Sequence, residues 1–185
     1  MDKEWLLRET LASGALKATI IQQNSIVLSG EFRKMCESNQ CGIYGKCWMC
    51  PPDIGEIDGL METVRSYPRA ILYQTVGELE DSFDIEGMTE AKRVHAQVSQ
   101  KIEEKVQLKL GDRETERYLH LTCGGCFLCK TCTVTENKPC RFPQKALSSL
   151  EAYGIDVYNT TKDTSLKYIN GQNTVTYFGM VLFEE

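Results

Sequence analysis

The spacing of apolar residues changes several times along the chain, and each change predicts an element. Near the start, Trp5, Leu6 and Ala12 sit among Lys3, Glu4, Arg8 and Glu9 with Ser13-Gly14 as the stop, so residues 2–13 read as a helix. Residues 15–22 and 26–28 are rich in β-branched and apolar side chains, interrupted by Gln-Gln-Asn-Ser, and predict a hairpin or a strand followed by a turn. Ile57, Leu60, Met61 and Val64 lie on one side of a helix over 57–67 that Pro68 stops, and a buried-type strand follows over 69–76. The longest stripe is Val94, Val98, Ile102, Val106 and Leu110, with Ala91 beside it; it predicts one helix from Thr89, as N-cap, to a stop at Gly111. Lys101, Glu103, Glu104 and Lys105 on the other face read as a solvated surface.

In the second half, residues 118–122 alternate apolar and polar and predict a strand. A helix over 144–153 closed by Gly154, a short strand over 155–158 and a further helical turn or two through Tyr168, capped by Thr160 or Asp163, are expected next. Residues 174–183 form a last strand, apolar on both faces in its second half and therefore central. Strands alternating with helices imply an α/β fold: one domain over 1–185, a layered mixed sheet flanked by helices.

Composition narrows the setting. The chain has 185 residues, 42% hydrophobic and 25% charged, as in ordinary soluble domains, and no apolar run approaches a membrane span. Its start lacks the basic, apolar and small-residue regions of a secretory signal, which predicts a cytoplasmic protein with no membrane partner. A net charge of −5 disfavours nucleic acid as a partner, although Lys130, Lys138, Arg141 and Lys145 can form a local basic patch.

What changes the picture most is the count of nine cysteines. In a reducing compartment thiols stay open, so metal ligation or catalysis is their usual use. One cluster spans 36–52, where Cys36, Cys41, Cys47 and Cys50 are separated by four, five and two residues, with Gly42 and Gly45 between them and Pro51 after. The other spans 123–143, where Cys123, Cys126, Cys129 and Cys132 recur at every third position and Cys140 follows. A C-x2-C-x2-C run with a more distant cysteine is how ferredoxin-type loops bring four thiolates onto a cube, so Cys126, Cys129, Cys132 and Cys140 are expected to hold one [4Fe–4S] centre. Cys36, Cys41, Cys47 and Cys50 are expected to hold a second, leaving Cys123 spare, although Cys50-Pro51 resembles a ferredoxin ending whose thiol serves the other cluster. Zinc stays open, because Cys129 and Cys132 can pair with Cys47 and Cys50 as two knuckles.

Other chemistry is thin. His95, beside the apolar stripe, and His120, in a strand, read as packed residues, and Asp53, Glu56 and Asp58 as helix-start charges. Gly124-Gly125 stands alone without the remainder of a phosphate-binding motif. Tyr44, Trp48 and Phe127 either shield a centre from water or simply pack.

The combination of Cys36-x4-Cys41, Tyr44-Gly45 and Trp48-x-Cys50-Pro-Pro with Cys126-x2-Cys129-x2-Cys132-x7-Cys140-Arg and Glu151-Ala-x-Gly-Ile-Asp-Val157 resembles a family of uncharacterised prokaryotic proteins predicted to bind metal. The resemblance covers nearly the whole chain and implies cysteine-bound metal. It also implies that positions 36, 41, 50, 126, 129, 132 and 140 are held more firmly than 47 and 123, so Cys47 and Cys123 compete as the eighth ligand. The expected function is an electron-transfer component with two [4Fe–4S] clusters serving a partner redox enzyme, with no catalytic residue of its own. A zinc-stapled binding module, or an enzyme using a cluster with an open iron position, are the alternatives.

Overall fold

The computed structural model describes residues 1–111 and 117–184, among which five strands are interspersed with five α-helices. Strands β1 (Lys17–Gln22), β2 (Arg69–Glu78), β3 (Tyr118–Thr122), β4 (Ser148–Ser149) and β5 (Thr174–Phe183) form one sheet in the order β1-β2-β5-β3-β4. All pairs are antiparallel except β3 with β4, so the sheet is mixed, and β5 is central as its apolar run predicts.

Alternation along the strands sorts the core into two layers. Ala70, Leu72, Met180 and Leu182 face Val64 of α3 (Ile57–Arg65) and the segment from Leu150 to Leu166. Ile71, Tyr73, Val181 and Phe183 face Leu6 of α1 (Lys3–Ala12) and the stripe Val98, Ile102 and Val106 of α4 (Ile85–Leu110). Because both faces are covered, the middle of β2 is buried at successive positions, whereas a half-exposed strand would alternate. A Cβ at Gly179 would lie 2.2 Å from the Tyr73 ring, so glycine is what lets that ring cross β5. Among the described residues no helix is long and apolar enough to cross a membrane.

Four local expectations are corrected. Helix α4 starts at Ile85, not after Thr89: the Asp84 carboxylate accepts from Gly87 N–H at 2.8 Å and caps it, while Thr89 hydroxyl donates to the Ile85 carbonyl inside the helix. Residues 144–153 form no helix, because Ser148 and Ser149 pair with Leu121 and Thr122 of β3 and only a 3-10 turn, Glu151–Tyr153, follows. The short strand over 155–158 reduces to a single bridge from Ile155 to Leu28, and Asp156 instead caps helix α5 (Val157–Thr161) by accepting from Asn159 N–H at 2.9 Å. Thr160 lies inside α5 and accepts from Val27 N–H at 3.0 Å, and no helix follows Asp163.

A fifth correction concerns Glu103, which is 4% exposed. Its carboxylate accepts from His120 Nδ1 at 2.9 Å, Tyr118 hydroxyl at 2.7 Å and Gln107 Nε2 at 2.8 Å. His120 Nε2 meets Tyr73 hydroxyl at 2.8 Å, which meets Ser99 hydroxyl at 2.8 Å, which meets Thr122 hydroxyl at 2.8 Å. This polar seam runs between α4 and the sheet and ends one residue before Cys123. Burial works against the Glu103 charge, but its three donors outweigh burial and hold the carboxyl below the ordinary range. His95, also buried, places Nδ1 2.8 Å from Thr75 hydroxyl; desolvation pulls its pKa down to about 4, so the ring is neutral. The Phe178 carbonyl lies near enough to favour charge on that ring, yet no well-formed hydrogen bond reaches Nε2.

Candidate metal centre

The first cysteine loop begins on a helix, α2 (Glu31–Glu37), whose last turn carries Cys36. Asn39, Gly42 and Gly45 then take left-handed backbone (φ 51°, 73° and 66°), which folds the chain back and lets Gly45 N–H donate to the Pro51 carbonyl at 2.9 Å. Asn39 side chain secures the turn by accepting from Tyr44 N–H at 3.1 Å, and Cys50 N–H donates to the Cys47 carbonyl at 2.9 Å. Four thiols are thereby presented from a compact turn rather than from an extended strand.

Strand β3 delivers the chain into the second loop. Gly124 is left-handed (φ 68°), and a Cβ at Gly125 would stand 3.4 Å from Cys50 Sγ and 3.2 Å from Ile43, so the two loops meet backbone to thiol there. Trp48 Nε1 donates to the Lys138 carbonyl at 3.0 Å and Ser148 hydroxyl to the Met49 carbonyl at 2.9 Å, which tie the loops together. Within the second loop, Thr133 hydroxyl donates to the Pro139 carbonyl at 2.9 Å, Arg141 to the Thr131 carbonyl at 3.0 Å, and Phe142 N–H points at Cys140 Sγ at 3.4 Å.

The thiols divide differently from their order in sequence. Cys126, Cys129, Cys132 and Cys140 line one small, partly enclosed cavity of about 20 Å3, and Cys47 of the first loop joins them, with Trp48, Leu128 and Phe142 completing the wall. Cys36, Cys41 and Cys50 line a neighbouring open cleft of about 660 Å3, together with Tyr44, Lys92, Gly124, Gly125 and Glu151. Cys47 is thus drawn away from Cys36 and Cys41, and it is the only one of the nine thiols that is fully buried. Its sulfur receives hydrogen bonds from Cys126 first and Cys50 second, which favour a thiolate at Cys47 and hold Cys126 and Cys50 as thiols. Burial pushes the Cys36 thiol up as well.

Cys123 stands apart. It faces other surface clefts, beside Ser99 and Thr122 on one side and Tyr177 on the other, and burial pushes its pKa up to about 12. Neither histidine reaches the thiols as a ligand: both are committed to the polar seam or its border. Lys92 was missed by sequence reasoning and Glu151 was named only within the family resemblance, because one lies on a helix and the other beyond the cysteine loop, and only folding brings both to the cleft; burial pushes the Glu151 carboxyl up.

The donor set fits a thiolate-bound centre, since five thiols and no carboxylate or imidazole line this cavity. Among the described residues no three histidine, cysteine, aspartate or glutamate side chains are drawn onto one point as a cage for a single ion. The sulfurs stand around spaces, not on points. Neither a curated protein nor a solved structure matches the chain. A family model does, over residues 19–183, with the description predicted metal-binding protein (DUF2284), and that span includes all nine cysteines. The chain belongs to this metal-binding family.

Proposed function

We propose that the chain is an iron–sulfur protein whose two cysteine loops hold [4Fe–4S] centres and pass single electrons to a partner redox protein. The observation that carries this reading is the division of the thiols, five around one enclosed cavity and three along an adjoining cleft, in loops that touch each other. Thiolates select zinc, copper(I) or iron–sulfur, and among these the C-x2-C-x2-C run with a later cysteine matches the cube. Cys126, Cys129, Cys132 and Cys140 are assigned to the enclosed centre and Cys36, Cys41 and Cys50 to the other, with Cys47 between them. When bound, such centres supply one-electron chemistry at a potential set by solvent access and hydrogen bonds to sulfur.

The chain's own residues govern both quantities. Trp48, Leu128 and Phe142 give that cavity apolar walls, and Phe142 N–H points at the Cys140 sulfur. Phe127 and Phe142 are 55% and 44% exposed beside the second loop and give a partner an apolar rim to approach. Protein purified without oxygen is expected to be brown, to contain about eight iron atoms per chain for two cubes, and to give an EPR signal on reduction. A colourless protein holding stoichiometric zinc overturns the proposal.

A further inference from the structure

The second cysteine loop is opposite in charge to the rest of its chain. Residues 123–143 hold Lys130, Lys138 and Arg141 against one acid, Glu136, a net of +2 within a chain of −5, so the remainder carries −7. All three cations are exposed. Lys138 binds Glu136 at 2.7 Å, and Lys145 just beyond the loop binds Glu104 at 3.4 Å, whereas Lys130 and Arg141 have no ion pair among the described residues. Arg141 donates to the Thr131 carbonyl at 3.0 Å, which lays its guanidinium against the residue that follows Lys130. Arg141 and Phe142 line the five-thiol cavity itself, and the Lys138 carbonyl accepts from Trp48, another of its walls. Phe142 is 44% exposed, so a cationic rim with one open aromatic ring borders the thiols.

Exposed cations contribute little to folding, so their sign matters chiefly to what approaches. Charges separated by more than about 10 Å are largely screened at 0.1 M salt, so a partner arriving at this face meets the local excess of cations before the acids that lie farther off. We infer that this face docks a small acidic electron-carrier protein, with carboxylates of the carrier against Lys130, Lys138 and Arg141 and an apolar contact on Phe142. This rests on the iron–sulfur reading. The step served is the transfer of one electron: the reduced cube loses it, the carrier gains it, and no bond or proton moves. Nucleic acid is the poorer occupant, because it draws its affinity from many phosphate contacts and three cations supply few. Cations beside a cube also offset the charge of its thiolates; that effect reads out in the potential, and docking in the rate.

An acidic flavodoxin is the probe. Mixed in its oxidised form with the reduced, iron-loaded protein in a stopped-flow instrument without oxygen, it is expected to take up electrons about tenfold more slowly as salt is raised from about 0.05 to about 0.5 M. Steering by overall charge predicts the reverse, because both proteins are negative. Lys130→Glu is expected to slow transfer about fivefold at the low-salt end and to flatten the salt dependence, with iron content unchanged, and Arg141→Glu to do the same. Lys17→Glu makes the same change of charge on β1, at the opposite edge of the sheet from β4, and is expected to transfer as the parent does. Transfer that is absent, or that quickens with salt, overturns the inference while leaving the iron–sulfur reading standing. So does Lys17→Glu that slows transfer as much as Lys130→Glu, or a shift of potential in Lys130→Glu large enough to account for its slower rate, which would assign the cations to the cube. Tighter binding of a short single-stranded oligonucleotide than of flavodoxin at about 0.15 M salt, both followed by fluorescence anisotropy, assigns the face to nucleic acid and overturns the inference too. Protein that binds no iron overturns the reading beneath it as well.

Discussion

Two polar regions meet where β3 ends, and they treat their polar atoms in opposite ways. Along the seam between α4 and the sheet, Glu103, Tyr118, His120, Tyr73, Ser99 and Thr122 satisfy one another through contacts of 2.7 to 2.9 Å. Where β3 ends, the nine thiols of the two loops meet one another and backbone N–H groups instead: Cys47 is met by the Cys126 and Cys50 thiols and by the N–H groups of Met49 and Cys126, and Cys140 by the N–H of Phe142. A buried polar network that closes on itself does structural work, since any missing member leaves a costly orphan. Thiols arranged around open space instead leave their ligating capacity for something from outside the chain. The difference separates the scaffold from the site.

The sharpest way to break this contrast is to remove thiols. Cys129→Ala or Cys132→Ala is expected to lower iron from about eight to about four atoms per chain, because a cube that loses a thiolate is not retained. Cys123→Ala is expected to leave the iron count unchanged, since that thiol lines neither the enclosed cavity nor the three-thiol cleft. Colorimetric iron assay decides both, and loss of iron with Cys123→Ala would redraw the ligand set. None of these changes should disturb amide protection in β2 and β5, measured by hydrogen exchange.

Next in size is the seam. Glu103→Ala leaves His120, Tyr118 and Gln107 without their shared acceptor and is expected to cost about 3–5 kcal/mol in denaturant unfolding. Glu103→Gln keeps an acceptor and should cost less. In both variants the protein that still folds should hold its full iron content. If iron is lost in step with the milder variant, seam and site are one unit and the contrast fails.

Acid probes the same seam from another side. His95 is neutral in the folded protein with a pKa of about 4, while the unfolded chain takes up its proton near the ordinary value of about 6.5. Between those values the unfolded state binds more protons, so stability falls as pH is lowered, by about 3 kcal/mol in total. Glu103 adds to the loss at lower pH: its folded pKa lies below the ordinary one, so its contribution is present above the ordinary value and disappears as pH falls through the folded one. Urea melts from pH 7 to pH 4 should show the decline, and His95→Asn should flatten its upper part. A parent protein whose stability is level across that window contradicts the neutral His95.

Periodicity made the main frame legible. The stripe that Val98, Ile102, Val106 and Leu110 carry, the strand at 118–122 and the apolar run at 174–183 each became the element expected, although Val94 at the head of the stripe is 41% exposed and 118–122 is covered on both faces rather than on alternate residues. Short-range competition was not legible. Residues 144–153 carry helix-compatible residues, but the edge of β3 offered Ser148 and Ser149 a sheet partner that only the folded chain contains. Glu103 reads as surface in a charged tetrad until His120 and Tyr118 arrive from a strand fifteen or more residues away. The cysteines announced the site, yet their grouping followed the turn at Gly42 and Gly45 and the close approach at Gly125, which carried Cys47 toward the second loop.

The smallest effect tests the loops themselves. Trp48 Nε1 to the Lys138 carbonyl holds the first cysteine loop against the second, and Ser148 hydroxyl to the Met49 carbonyl holds it against β4. Trp48→Phe keeps most of the apolar wall and removes one donor, and Ser148→Ala removes the other, each worth about 1 kcal/mol. In metal-free protein either change should speed amide exchange across 36–52 and 123–143 several-fold while the sheet stays protected. In iron-loaded protein the same changes should have little effect, because ligands on both sides of the contact then hold the loops from within. Equal loosening with and without iron would mean that the loops are organised by their own hydrogen bonds, and that the metal fills a site it does not help to build.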